Sequence, residues 1–135
     1  TTNLTGPMLT CKAVAAAMKS QGSGRIVNIS SVAGLVPTGS SIPYAVSKAG
    51  LNHLTHCMAV ALAPEVLVNC VAPGYIDGTR ASSKLDPEYQ VTFRAAAILK
   101  RAADKDDIAR QVVEFCRTDS VTGQVLVIDS GKVFH

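Results

Sequence analysis

Three short apolar runs, separated by longer segments with helical character, most constrain the fold of this 135-residue chain. The runs cover residues 25–30, 66–72 and 124–129, and each is rich in valine and isoleucine. Their apolar residues are consecutive and do not alternate with polar ones, which is typical of strands covered by helices on both faces. Strands of this kind belong to parallel sheets, so the pattern predicts an α/β protein of one domain.

Helical segments are predicted at residues 5–19, 44–63 and 105–117, so that helices and strands alternate three times along the chain. This order predicts an open, doubly wound parallel sheet with right-handed crossovers. The segment 74–103 contains Pro87 and is polar in its middle. We expect it to form a lobe above the sheet, where loops often contact substrates.

Two of the predicted helices have recognisable boundaries. Ser41 is a suitable N-cap for the helix at 44–63, Pro43 suits its first turn, and Pro64 ends it. Asp104 is the expected N-cap of the helix at 105–117.

The composition excludes several classes of protein. Apolar residues make up 47% and charged residues 17%, the reverse of the balance that keeps a chain disordered. The 13 Lys and Arg residues exceed the 10 Asp and Glu residues by three, and they are scattered along the chain. Nucleic-acid binding needs a dense basic surface, so we expect no nucleic-acid partner. No apolar run reaches the roughly 18 residues of a membrane span, so we expect no membrane partner.

The cysteines and histidines give no clear indication of a metal site. The cysteines are far apart and form no Cys-x-x-Cys pair; they are Cys11, Cys57, Cys70 and Cys116. They are typical of reduced thiols in a cytoplasmic protein. His53 and His56 lie three residues apart and could bind a metal, but no carboxylate ligand lies near them in sequence. We therefore interpret them as surface or interface residues and predict no metal.

Tyr44 and Lys48 carry the clearest chemical signal. They lie four residues apart, which places them on the same face of a helix. A free phenol has a pKa near 10, and an ammonium group beside it favours the phenolate and draws that pKa toward neutral. Such a phenol can act as a general acid or base at physiological pH.

Further residues surround this pair at characteristic spacings. Ser31 lies thirteen residues before Tyr44, Asn3 precedes a Leu-Thr-Gly sequence, and Asn69 begins an Asn-x-x-x-Pro-Gly motif. In this order and spacing the motifs resemble the short-chain dehydrogenase/reductase superfamily. The most similar branch is the compact one, which includes 3-oxoacyl-carrier-protein reductases, sugar dehydrogenases and hydroxysteroid dehydrogenases. The resemblance runs from Asn3 to about residue 131 and corresponds to the C-terminal half of that family's Rossmann-type domain.

The resemblance implies a catalytic role for four residues. Tyr44 matches the acid/base that protonates a carbonyl oxygen while a nicotinamide delivers hydride to the carbon. Ser31 matches the serine that hydrogen-bonds this oxygen; Ser30 is the alternative, but the spacing selects Ser31. Lys48 matches the lysine that lowers the tyrosine pKa and holds the nicotinamide ribose. Asn3 matches the asparagine that positions a water in a proton relay.

The resemblance also implies a cofactor, NAD or NADP. Pro73, Gly74 and Ile76 match the turn whose backbone meets the nicotinamide amide. Thr79 corresponds to a cofactor-binding threonine but lies one residue later than the family's position. The Gly-rich turn that holds the dinucleotide pyrophosphate is absent from this sequence. Residues 1–135 are therefore expected to form a single, partial Rossmann-type domain.

Three hypotheses about function follow. The first is an NAD(P)-dependent oxidoreductase acting on a small carbonyl or secondary alcohol. The second is a non-catalytic chain that self-associates or binds a partner. The third, the extended branch of sugar-nucleotide epimerases, shares the Tyr-x-x-x-Lys motif, but the short tail after Gly131 argues against it. The resemblance also implies a homo-oligomer formed through the helices at 5–19 and 44–63, and the run at 25–30 is expected to form an open sheet edge.

Overall fold

The computed structural model describes residues 2–134, and its helices and strands follow the predicted order, with one additional helix between the second strand and the last predicted helix. The helices are α1 (Thr5–Ser20), α2 (Ile42–Leu62), α3 (Pro87–Ala96) and α4 (Lys105–Arg117). The strands are β1 (Gly24–Ile29), β2 (Val66–Pro73) and β3 (Val125–Ile128). Two short 3-10 turns lie at Val32–Gly34 and Ser82–Lys84.

The three strands form one parallel sheet in the order β1-β2-β3. The predicted α/β fold is therefore confirmed. The central strand β2 is buried along its length except at Leu67, which is half-buried. Burial on both faces explains why its apolar residues are consecutive, since neither face is left for water.

Helices cover both faces of the sheet, and strand alternation decides which side chain faces which helix. Val66 and Val68 pack against Ala59 and Leu62 of α2, and Ala15 and Met18 of α1 join the same apolar cluster. Val71 points the other way and packs against Ile108 of α4. The core thus consists of one layer above the sheet and one below it.

The predicted caps hold the helices at their starts. The Ser41 hydroxyl accepts the N–H of Tyr44 at 3.3 Å. The carboxylate of Asp104 accepts the N–H groups of Asp107 and Asp106 at 3.1 and 2.7 Å. These two donors hold the pKa of Asp104 below its usual value, because they favour the charged form.

The lobe at 74–103 has more regular structure than the sequence indicated. Pro87 begins α3, and Asp86 caps it by accepting the N–H of Glu88 at 2.9 Å. No helix was expected in this lobe, but Pro87 fits the first turn of one because the N–H that proline lacks is not needed there. Across residues 2–134, none of the helices is long and apolar enough to cross a membrane.

Asn69 ties the central strand to the loop that leads into β3. Its side chain is 1% exposed. The amide nitrogen donates to the Val121 carbonyl at 2.7 Å, and the amide oxygen accepts the N–H of Gln124 at 3.1 Å. A buried asparagine therefore satisfies two backbone groups that the chain reversal would otherwise leave unpaired.

We expect the substitution Asn69→Ala to lower the free energy of unfolding by about 2–3 kcal/mol, because a part-buried carbonyl and a part-buried N–H lose their partners. The matched control is Gln124→Ala, which removes an exposed side chain and leaves its backbone N–H in place. This control substitution should change the free energy of unfolding by no more than about 0.5 kcal/mol. Urea denaturation measures both, and equal losses in the two variants would contradict this role of Asn69.

Candidate active site

The carboxyl ends of β1 and β2 bring the predicted site residues to one edge of the sheet. Ser31 follows β1, caps the turn Val32–Gly34 and accepts the N–H of Ala33 at 3.2 Å. Its neighbour Ser30 is buried and donates to the carbonyl of Lys48 at 3.0 Å. Ser30 therefore anchors α2, while the Ser31 hydroxyl keeps its own hydrogen to donate.

Tyr44 and Lys48 lie one turn apart on α2, and both are half-buried. The Lys48 Nζ is 5.8 Å from the centroid of the Tyr44 ring. The same Nζ donates to the carbonyl of Ile29 at 2.8 Å. Burial lowers the pKa of Lys48, because a low-dielectric surrounding disfavours its charged form.

Asn3 reaches the same turn of α2. Its Nδ2 donates to the Ser47 hydroxyl at 3.4 Å, and that hydroxyl donates to the Tyr44 carbonyl at 2.7 Å. Asn3 and Lys48 also line the same groove beside β1. The structure therefore places Asn3 next to the helix turn that carries the tyrosine and the lysine.

The Pro73–Gly74 turn packs closely against the end of β3. The N–H of Gly74 donates to the Ile128 carbonyl at 2.9 Å. A Cβ on Gly74 would lie 2.4 Å from the Cβ of Asp129, so only glycine fits. Asp129 in turn accepts the N–H groups of the three residues from Gly131 to Val133.

Ile76 and Thr79, the other residues predicted to bind a cofactor, are engaged within the lobe. Ile76 forms an isolated parallel bridge with Ala103. The Thr79 hydroxyl accepts the N–H of Ser82 and lies 3.0 Å from its hydroxyl. Both thus stabilise the segment that follows Gly74.

Comparison with known proteins decides the family. The family model described as Enoyl-(Acyl carrier protein) reductase matches residues 1–132. A short-chain dehydrogenase/reductase homolog, YusR of Bacillus subtilis, is 39% identical over 127 residues, which are 94% of this chain and 97% of that protein. The chain belongs to the short-chain dehydrogenase/reductase family.

Other relatives of this short-chain dehydrogenase/reductase are longer. The human 3-oxoacyl-[acyl-carrier-protein] reductase is 36% identical over 96% of this chain, which spans 54% of that protein. The crystal structure of an apo SCOR enzyme from Clostridium thermocellum matches 98% of this chain with a TM-score of 0.80 and 31% identity. This chain covers 53% of that structure. It thus spans about half the length of both proteins but almost all of YusR.

One cluster of side chains in the lobe was not predicted from the sequence. Arg94 of α3 makes a two-pronged contact with Asp77, from Nε to Oδ2 at 3.0 Å and from Nη2 to Oδ1 at 2.8 Å. This contact holds the pKa of Asp77 below its usual value. The rings of Tyr75 and Phe93 stack beside it, with centroids 5.3 Å apart. No sequence signal marks these pairs, because their members lie 17 or 18 residues apart and meet only through the tertiary fold.

Gly34 fixes the position of Ser31 relative to Lys48. A Cβ at Gly34 would lie 2.6 Å from the carbonyl carbon of Lys48 and 2.8 Å from the nitrogen of Ala49. The side chain of Asn52 also donates to the Gly34 carbonyl at 3.3 Å. The turn that carries Ser31 therefore rests directly on the backbone of α2.

We expect Gly34→Ala to lower the free energy of unfolding by about 1–3 kcal/mol, because the methyl group forces the turn away from α2. Gly6→Ala in α1 is the matched control, since nothing lies within 4 Å of its added Cβ. This control substitution should leave the free energy of unfolding unchanged or raise it by up to about 1 kcal/mol. Thermal and urea denaturation test the pair, and a Gly34→Ala variant as stable as the parent chain would disprove the close packing.

Proposed function

We propose that this short-chain dehydrogenase/reductase chain carries the acid/base half of an oxidoreductase that uses NAD or NADP. The substrate class is a small carbonyl compound or secondary alcohol. The observation that carries the proposal is the clustering on one helix turn: Lys48 lies beside the Tyr44 ring, and Asn3 bonds the intervening Ser47. Four free cysteines support a reducing, cytoplasmic setting.

In this proposal each polar side chain has one task. The Tyr44 hydroxyl gives its proton to the carbonyl oxygen during reduction and takes it back during alcohol oxidation. The Ser31 hydroxyl donates a hydrogen bond to the same oxygen and stabilises its developing charge. Lys48 supplies a positive charge beside the phenol, and Asn3 holds the start of a proton path from solvent.

The residues present fit only the nicotinamide end of a dinucleotide. The ammonium of Lys48 suits a ribose, since an ammonium can donate hydrogen bonds to hydroxyl oxygens, and Gly74 would lie at the carboxamide. Pro73, Ile76 and Thr79 would line the same end. The chain's sequence has no Gly-rich turn after a strand to hold a pyrophosphate. When bound, the nicotinamide supplies or accepts the hydride.

We expect Tyr44→Phe to lower kcat by about 10²–10⁴ in an assembly that holds the nucleotide, because the acid/base group is removed while the ring remains. Tyr89→Phe is the control, since Tyr89 is exposed on α3 and distant in sequence from the site. Absorbance of NAD(P)H with a carbonyl substrate measures both variants. Near-full activity of Tyr44→Phe would contradict the assignment of Tyr44 as the acid/base.

The exposed face of α2 favours a second part of the proposal, self-association. Three large apolar residues lie open on this helix: Ile42, Val46 and Val60, with 81%, 63% and 83% of their surface exposed. Met8 and Leu9 of α1 are also exposed. The only charged residue between 42 and 62 is the half-buried Lys48. An uncharged apolar face of this kind suits packing against a second copy.

We expect the chain to form oligomers through α1 and α2, and Val60→Glu to shift it toward the monomer, because a buried carboxylate lacks a partner. Val91→Glu is the matched control, since Val91 is also exposed but lies on α3. Light scattering as a function of concentration gives the mass of each variant. A monomeric parent chain, or equal effects of the two variants, would contradict this interface. The alternative is a non-catalytic chain that self-associates. In that case Val60→Glu would still shift the chain toward the monomer, but Tyr44→Phe would not change kcat.

A further inference from the structure

A row of exposed residues runs along α2 at alternating intervals of four and three residues. We call this row the α2 seam, and its members are Ile42, Val46, Ala49, His53, His56 and Val60. The intervals are those of the a and d positions of a coiled coil, which lie on one side of a helix and pack against a second helix. Four members of the α2 seam are apolar, and the other two are histidines.

The α2 seam suits a second copy of the chain as its partner. Twofold packing brings the same surface of two copies together, so a charged residue there would meet its own charge, and the α2 seam contains no Asp, Glu, Lys or Arg. Antiparallel packing pairs the a positions of one helix with the d positions of the other. When His53 faces His56 of the partner subunit, Ala49 faces Val60 of the partner subunit. A small residue then meets a larger one on each side of the histidines.

This register gathers four imidazoles around the twofold axis. His53 and His56 differ in height along α2 by about 4.5 Å, so the two symmetry-related His53–His56 pairs form adjacent layers. Within one chain the ring centroids are 6.1 Å apart, and the ring planes meet at 85°. Two imidazoles on one tetrahedral Zn²⁺ have centroids about 5 Å apart, given Zn–N distances of ~2.0–2.1 Å. Small changes of the side-chain torsions close this difference.

Burial in the α2 seam leaves the imidazole nitrogens in need of partners. A neutral imidazole has one N–H donor and one acceptor nitrogen. The neighbouring members Val46, Ala49 and Val60 have apolar side chains that can bond neither, and an unpaired buried polar group is unfavourable. A metal ion uses the acceptor nitrogens. Within residues 2–134 of one chain, no group of three His, Cys, Asp or Glu side chains could hold a metal ion, so a site here needs both copies.

We propose that two copies of the chain bind one Zn²⁺ between their α2 helices, through His53 and His56 of each copy. The site rests on the self-association proposed above and is separate from catalysis. Imidazole suits Zn²⁺, and four protein ligands complete its tetrahedral shell, which is typical of a structural zinc site. No metal is predicted from the sequence because one chain offers two histidines here, and the second copy supplies the other two.

A zinc titration tests the stoichiometry of the site. The purified chain is first freed of metal with EDTA, dialysed and then titrated with Zn²⁺ in an isothermal titration calorimeter. We expect saturation at one Zn²⁺ per two chains. Co²⁺ added in place of Zn²⁺ should give the intense visible absorption of a tetrahedral site. One ion per chain, or no saturable binding, would overturn the proposal.

Substitution of the histidines tests the ligands. His53→Gln and His56→Gln each remove two of the four ligands, so each should weaken Zn²⁺ binding by more than the ~10–100-fold that loss of an outer-shell partner costs. The matched controls are His135→Gln, which removes the chain's other histidine, and Cys57→Ser, which removes an exposed thiol four residues after His53. Both controls should bind Zn²⁺ as the parent chain does. Circular dichroism checks that each variant folds, and a loss of affinity in Cys57→Ser would refute the four-histidine site.

Zinc binding and self-association are thermodynamically coupled at such a site, because an ion that binds only the paired chains stabilises the pair. Zn²⁺ should therefore raise the dimer fraction measured by light scattering, and EDTA should lower it. Val46→Lys should weaken both association and Zn²⁺ binding, although Val46 is not a ligand, whereas Val91→Lys on α3 should change neither. A chain that associates equally with and without Zn²⁺ would refute the metal site and leave the interface standing. A chain that is monomeric in both conditions would refute both.

Discussion

The pairing of β2 on both of its edges is the constraint on which the rest of the structure depends. Its parallel register with β1 and β3 puts the carboxyl ends of all three strands on one side. Ser31 and Gly74 lie on that side because they come two residues after β1 and one residue after β2. The helices must then cross back over the sheet, and they bury the two faces of β2 as they do so. One buried strand thus determines both the core and the location of the candidate site.

The sequence predicted the elements that burial and capping define, and missed those that depend on contacts distant along the chain. The three apolar runs became β1, β2 and β3 because their buried faces leave no room for polar residues. The helix predicted at 44–63 is Ile42–Leu62, and Ser41 caps it. In contrast, α3 was missed because the segment is polar in its middle and most of the surface of the helix is exposed.

The candidate site also contains some features that the sequence predicts and others that depend on contacts distant along the chain. Tyr44 and Lys48 could be selected because an interval of four residues places them on one helix face and because Ser31 and the Asn-x-x-x-Pro-Gly motif lie at characteristic spacings around them. The contact between Arg94 and Asp77 has no such local meaning, since it joins α3 to the segment after β2. The unengaged hydrogen of Ser31 also could not be predicted. It follows because, within residues 2–134, this hydroxyl is found only to accept, from the N–H of Ala33.

Lys48 connects the candidate site to the open edge of the sheet. Consecutive residues of the chain hold it at both ends: the Ser30 hydroxyl bonds its backbone carbonyl, and the Ile29 carbonyl bonds its ammonium. The first contact positions the helix turn, so it persists wherever the side chain points. The second holds the ammonium at the edge of β1, 5.8 Å from the centre of the Tyr44 ring. Because the same ammonium makes this bond and lies beside the phenol, the Ile29 carbonyl helps to fix the positive charge next to Tyr44. The end of β1 and the turn of α2 that carries Tyr44 are therefore joined through one side chain.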